Sequence, residues 1–518
     1  MYIFWSMFVV LYKNITFLSL QNNDLLMLVL LTFLIGAVLI FLFWFYKIRS
    51  KVNIPVNPGG HWLLGHLGCF MSIKDPDDFE PKLFELTDPK YGDVGHLKFL
   101  HVTNLTLNTA AVAENLLKSN VNINKTWQYD LFADWMKGSV LILPGAKWQR
   151  RRKLLTPAFH FNILESFIEV MRHSSIRLSE KLLAMAQEGP VEVLVTPLLN
   201  VTTFNTLVET SFGYDSDAFE QEHEVFTAFS KIFLAFIERP KNVLYYFDII
   251  YNQTKSGKQA KKYLAVINNF LRELIKTRRQ AKADGTVKLH KGKFSFLDHM
   301  INIQDENPEE MPEEYMLGEC NTIMLAGHGT VTGTVNFALY FLCKHPEVQQ
   351  KVFDEVAQAV GEGSIDDVKP QNLLYLTQVI RETLRLQPPA PNFARKLSEP
   401  MMAGKYLIPA GTNVDVMIWH IHRDPKVWSD PEKFDPERFT AENMKTRSPY
   451  AFIPFSAGPR NCLGFRFAMM EMRMLISYMI YNFKVTTEQT MGVDLKRHEE
   501  GVSVVPGPNL KIKFEKRH

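Results

Sequence analysis

The chain has 518 residues, 46% of them hydrophobic and 22% charged, a profile that excludes a disordered or fibrous protein and leaves room for a large core. With 58 basic and 55 acidic residues the net charge is +3, too near neutral for a nucleic-acid binder, whose affinity needs a concentrated basic surface. Cys69, Cys320, Cys343 and Cys462 lie far apart without a C-x-x-C pair, which excludes a disulfide framework and a zinc-finger spacing.

Residues 25–46 form an uncharged apolar run, long enough for a bilayer core that needs about 20 such residues. No small-residue cleavage site follows, so the run reads as a transmembrane anchor and not as a secretory signal. Lys47, Arg49 and Lys51 come next, whereas Lys13 and Asp24 cancel on the other side, which places everything after Lys47 in the cytosol. An Arg- and Ser-rich amphipathic presequence, the mark of mitochondrial import, is absent. Residues 1–24 read as an N-terminal extension, either membrane-packing or upstream of a start at Met27. Residues 47–60 contain Pro55, Pro58, Gly59 and Gly60 and are predicted to be a stiff, non-helical hinge.

Residues 61–518 show no repeat or internal boundary and are read as one catalytic domain. Alternation predicts one or two strands between Tyr91 and Asn108, and short strands near Asn413–Met417 and Leu510–Phe514. Most of the remainder has helical periodicity, as in Val352, Phe353, Val356 and Val360, so the expected class is mainly α with a small β-sheet. The basic stretch Lys276–Lys293 is expected to be a solvated loop between helices. The aromatic run Phe226, Phe229, Phe233, Phe236, Tyr245, Tyr246 and Phe247 is read first as core packing.

The stretch from Phe455 to Gly464, FSAGPRNCLG, carries the chemistry. Gly458 and Pro459 predict a tight turn before Cys462, and a long helical pattern begins just after it. A cysteine near a helix N-terminus faces unpaired backbone N–H groups, which favour the thiolate. Phe455 can shield the sulfur, and Gly464 leaves room for a flat macrocycle over the helix start. A thiolate on haem iron donates electron density that assists O–O cleavage. This spacing of Phe, Gly, Arg, Cys and Gly resembles the signature of the cytochrome P-450 superfamily. The resemblance implies a single large haem domain of that fold, with haem b (iron protoporphyrin IX) bound through an axial thiolate from Cys462.

Other motifs agree. Glu382 and Arg385 are three apart on one helix face, and Phe434–Phe439 (FDPERF) follows downstream. In the superfamily such residues form a buried triad behind the haem, which implies a structural role for Glu382, Arg385 and Arg438. Trp148 and Arg152 are four apart, and an indole N–H and a guanidinium fork suit an anion. The resemblance makes them propionate ligands, with Arg395 and Arg460 as further candidates by position. Arg150, Arg151 and Lys153 are expected to form a solvated face.

The segment Ala326–Gly333 (AGHGTVTG) follows the apolar Ile323–Leu325. No strand–helix–strand unit surrounds it, so a dinucleotide loop is a weak reading, and upstream spacing puts the glycines inside a helix. By resemblance this helix makes room for O2, and its threonine, Thr330, organises a proton relay. Gly329 stands where the family usually has an acid, a departure that puts ordinary proton delivery in doubt. His328 is expected to be a packing residue on the outer side of the helix.

Trp148–Phe161 and the Ala-Gly-His segment look most like family four of the superfamily, whose members are typically microsomal and oxidise fatty acids, lipid hormones or foreign compounds. Some mammalian members link haem to a glutamate. The corresponding position is Ala326, so no ester link is expected. The resemblance implies an endoplasmic reticulum monooxygenase acting on a lipophilic small molecule. Electrons would come from NADPH through a separate flavoprotein, NADPH-cytochrome reductase, with cytochrome b5 as a further partner. An isomerase or dehydratase of the same fold, needing neither reductase nor O2, and a non-catalytic haem sensor are the competing expectations.

Overall fold

The computed structural model describes residues 52–517 apart from 100–101, 215–223, 238, 240–241, 288–291, 501–502 and 508, together with 27, 30–36, 38 and 39. Most of the expected 25–46 anchor, and all of 1–24, fall outside the described residues. Residues 30–36 are helical, with Leu30, Leu31, Phe33, Leu34 and Ile35 exposed. Among the described residues no helix is long and apolar enough to cross a membrane.

In chain order, the elements that position the site begin with β1 (Val94–Phe99) and β2 (Val102–Leu107). Helices α1 (Gly145–Leu155) and α2 (Ile168–Met185) follow, then β3 (Val191–Leu194) and α3 (Val195–Phe212). Next come α4 (Glu224–Ile237), α5 (Lys255–Ala283), α6 (Glu313–Gly327), α7 (Gly329–Lys344), α8 (Pro346–Val360) and α9 (Leu374–Leu386). The chain closes through β4 (Phe393–Lys396), β5 (Asn413–Val416), α10 (Phe465–Asn482), β6 (Phe483–Thr486) and β7 (Lys511–Lys516).

Two sheets frame the helices. One has the order β1-β2-β5-β4, antiparallel except for the parallel β2–β5 pair, with Leu105 opposite Val414. The other places β7 between β3 and β6, antiparallel to both. The expected strands at Tyr91–Asn108, Asn413–Met417 and Leu510–Phe514 are all present. Those at Val191, Phe393 and Phe483, four residues each, were not expected.

Helix α7 is buried on nearly every side, through Val331, Val335, Phe337, Ala338, Leu339 and Leu342, which makes it the central rod of the domain. Its core joins α2, α8, α9 and α10 in one apolar cluster. A second cluster unites Trp135, Phe204, Phe229, Phe233 and Phe236 with α5 and α6. The Phe229, Phe233 and Phe236 part of the aromatic run is therefore core, as expected. By contrast, Leu244, Phe247 and Ile249 after α4 are exposed.

Two expectations need correction, and a third gains a qualification. The basic stretch after Lys276 is not all loop, because α5 runs on to Ala283. Arg278 turns inward to a bidentate pair with Asp298, while Arg279 and Lys282 meet Asp305 on the surface. Arg151 is not solvated. It is buried, 3.1 Å from Glu319 and bonded to the Gly138 and Glu310 carbonyls. Burial still pushes the Glu319 carboxyl up to about 7. Arg150 does lie on the surface. The 52–60 part of the hinge is non-helical, as expected, but Asn57 stitches it to β1 by exchanging backbone and side-chain bonds with His96.

Candidate active site

The Cys462 loop is shaped by two backbone positions in the left-handed region, Ser456 at φ 59° and Gly458 at φ 70°. At Gly458 a Cβ would lie 1.7 Å from the Leu117 carbonyl oxygen, so only glycine fits. Ser456 N–H donates to the Ile453 carbonyl, Asn461 N–H to Gly458 and Cys462 N–H to Phe455, at 2.9, 3.1 and 2.9 Å. Helix α10 starts three residues beyond the cysteine, with Gly464 as its N-cap. Cys462 has accessible surface and lines a cavity. Burial there pushes the thiol up, while the Gly464 N–H and the Arg152 charge pull it down.

Behind this loop the buried Glu382 carboxylate takes a bidentate bond from Arg385, at 2.7 and 2.8 Å, and a third bond from Asp435 N–H at 2.9 Å. Arg438 approaches the same carboxylate at 3.4 Å. The three expected triad residues are thus together. Arg385 also bonds the Pro431, Lys433 and His422 carbonyls, which ties α9 to the 422–433 segment. The sequence reading missed His422. Its Nε2 accepts from Ile453 N–H at 2.9 Å and its Nδ1 lies 3.2 Å from the Arg385 carbonyl, so it joins the triad to the start of the Cys462 loop. Burial holds its pKa down at about 3, and the neutral ring is the form these two bonds require.

The cavity is walled on one side by Cys462, Leu463, Gly464 and Phe467, and on the other by Thr322, Ile323, Ala326 and Gly327 of α6. Trp148, Arg152, Arg460 and Lys125 stand at its edge, and no carboxylate lines it among the described residues. Arg152 donates to the Asn461 carbonyl and side-chain oxygen at 2.7 and 2.8 Å. Arg460 stacks 4.5 Å over the buried Trp148 ring and bonds the Leu141 and Leu143 carbonyls, while its Nε has no partner among the described residues. Arg395 lies on β4 beside Arg460 rather than in the cavity wall. Lys125, which lies in no motif or periodic pattern, sits 4.1 Å over the Tyr129 ring. Burial lowers the pKa values of Lys125, Arg395 and Arg460, and mutual repulsion adds to it for Lys125 and Arg460.

On the opposite wall the helix breaks. Helix α6 ends at Gly327, α7 begins at Gly329, and His328 is the junction. The expected glycine weakening has thus split the helix in two. Thr330 lies one turn beyond the cavity wall, and its hydroxyl donates to the Ala326 carbonyl at 2.8 Å. His328 packs edge-on against Phe204 and Phe229 with its pKa lowered to about 4 by burial, a packing residue as expected.

A family model for "Cytochrome P450" matches residues 55–514. The chain belongs to the cytochrome P450 family. It is 31% identical over 490 residues to cytochrome P450 4V2 of Mus musculus, covering 91% of each chain. It is 30% identical to cytochrome P450 4F5 of Rattus norvegicus over 471 residues, 88% of this chain and 89% of that one. Cytochrome P450 4c21 of Blattella germanica is 33% identical over 396 residues, 74% of this chain and 78% of the other. As a cytochrome P450 it is a monooxygenase oxidoreductase whose cofactor is haem with a cysteine thiolate as axial ligand.

The residues fit that group. Cys462 is the one cysteine in the cavity wall among the described residues, while burial pushes the Cys343 thiol up to about 12 and Cys320 higher still. A Cβ on Gly464 would meet nothing within 4 Å, which leaves a flat face beside the sulfur. The edge offers cations without acids, the complement of a flat apolar ring bearing two carboxylates.

Proposed function

We propose that this P450 hydroxylates a lipophilic substrate, a fatty acid or similar lipid, with electrons from NADPH delivered by a flavoprotein reductase and with cytochrome b5 as an auxiliary partner. The observation that carries the reading is the cavity bounded by Cys462, by cations on its edge and by apolar side chains elsewhere. Bound there, haem supplies the oxygen-activating chemistry. Cys462 takes the role of axial ligand, with Phe455 and Gly464 shielding and spacing it. Trp148, Arg152, Arg460 and Lys125 hold the carboxylate edge, with Arg395 supporting Arg460 from behind. Glu382, Arg385 and Arg438 brace the loop. Leu207, Phe296, Phe159 and Leu164 exclude water and orient an apolar chain. Thr330 holds a hydroxyl proton beside the helix break, in place of the acid that Gly329 lacks.

The same proposal anchors residues 25–46 in the endoplasmic reticulum membrane with the catalytic domain cytosolic. The exposed Leu244, Phe247 and Ile249 suit contact with its surface. Resistance of microsomal protein to carbonate extraction, lost on deleting 1–46, tests that part.

The catalytic part is tested by NADPH and O2 consumption with reductase and a lipid pool. Product formation dependent on both is expected. Turnover independent of both would assign the chain to the isomerase or dehydratase reading, to which Gly329 in place of the usual acid points.

A further inference from the structure

A second cavity, of about 470 Å3, lies behind the Cys462 loop and shares no wall residue with the first. Its walls are chiefly apolar, with Phe452, Phe455, Phe465, Met469 and Met470 prominent. Three arginines line this hollow: the half-buried Arg381 from α9 and Arg473 from α10, and the exposed Arg466 from α10. Among the described residues none of the three is paired with an acid. Arg473 has a neutral partner, the Thr377 hydroxyl at 2.7 Å. Burial lowers the pKa values of both Arg381 and Arg473, and the nearby Arg381 charge lowers Arg473 further. The Ser456 hydroxyl, buried and without a hydrogen-bond partner among the described residues, lies in the same wall.

Half-buried cations of like sign beside apolar walls are costly until an anion joins them. A bound carboxylate or phosphate would restore that balance with charge-assisted hydrogen bonds. The remaining walls suit an alkyl chain. An inserted peptide fits less well, because the chiefly apolar walls offer few acceptors for its backbone N–H groups.

We propose that this proximal cavity binds an anionic amphiphile, a carboxylate or phosphate head on a single alkyl chain, with the head between Arg381 and Arg473 and the chain along Phe452, Phe455 and Phe465. Phe455 is also the residue whose carbonyl accepts the Cys462 N–H. An occupant therefore presses on the loop that carries the sulfur, from the side opposite the first cavity. The proposal does not depend on what the enzyme oxidises.

The test is calorimetric titration of the full-chain holoenzyme, with the first cavity filled by a saturating azole. Laurate, dodecyl phosphate and dodecanol are added separately, each below its micellar concentration. At least one of the two anions is expected to bind at a single remaining site, at least tenfold more tightly than dodecanol, and the tighter anion identifies the head group. The double variant Arg381→Gln with Arg473→Gln should weaken that anion at least tenfold and leave dodecanol unchanged, its carbon monoxide spectrum certifying an intact haem site. Absence of binding by both anions, equal affinity for dodecanol, or indifference to the double variant would each overturn the proposal. The three-ligand comparison on the unaltered enzyme stands even where the variant fails to fold.

Discussion

The loop that carries Cys462 and the helix break at His328 face one cavity, yet they are held in different ways. The loop is tied at both ends and in the middle. His422 bonds its entrance, three backbone hydrogen bonds close its turns, and Gly458 rests against the Leu117 backbone. The break has lost helical continuity and is held by the Thr330 bond to Ala326, the His328 bond to Met324 and the Thr332 N–H bond to the His328 carbonyl, with a Thr203–Thr332 hydroxyl pair just beyond. The difference teaches that the cysteine loop is held by contacts with distant segments, whereas the break is held chiefly by bonds local to its own helices.

The largest expected effect breaks the loop side outright. Cys462→Ala should abolish the thiolate-type band in the carbon monoxide difference spectrum of the reduced protein, and an unchanged band would remove the sulfur from its proposed role. Next, Arg385→Ala leaves the fully buried Glu382 carboxylate without its bidentate partner. Unfolding in urea should show a loss of about 3–5 kcal/mol, because a stranded buried charge costs that much.

His422 sharpens the comparison through pH. Its folded pKa of about 3 lies below the ordinary value of 6.5, so below pH 6.5 the unfolded chain takes up the proton first. The stability it contributes is present above pH 6.5 and is lost as pH falls toward 3. His422→Leu should cost about 1–3 kcal/mol near neutrality by stranding the Ile453 N–H. The variant should also lose part of the acid slope, seen by thermal unfolding between pH 7 and 5. A parallel slope in both proteins would contradict the role given to His422.

The smallest effect on stability is expected at the helix break. Thr330→Val removes one hydroxyl bond and should change unfolding by about 0.5–1.5 kcal/mol. It should nevertheless lower the ratio of product formed to NADPH consumed. An unaltered ratio would move the proton route away from Thr330.

Much of this was legible in the chain. The Cys462 loop could be read because its turn, its cysteine and the start of α10 are contiguous. Glu382 and Arg385 could be read because they share a helix face. Arg151, by contrast, sits in a basic run that looks solvated until Glu319, 168 residues away, closes over it. Lys125 and His422 were hidden for the same reason, since neither lies in a periodic pattern and their neighbours come from distant segments. Arg395 was placed by its motif, but its seat behind Arg460 depends on how β4 pairs with β5.

The stop between Gly458 and Leu117 has a bearing on electron transfer. Two backbones in van der Waals contact cannot be displaced by rotamer changes, so the sulfur's seat is indifferent to the side-chain fluctuations around it. Under the proposed function, a change of charge at that seat would meet a closely packed frame, which favours a small nuclear reorganisation. Close packing at one glycine would thus bear on a kinetic property of the whole enzyme.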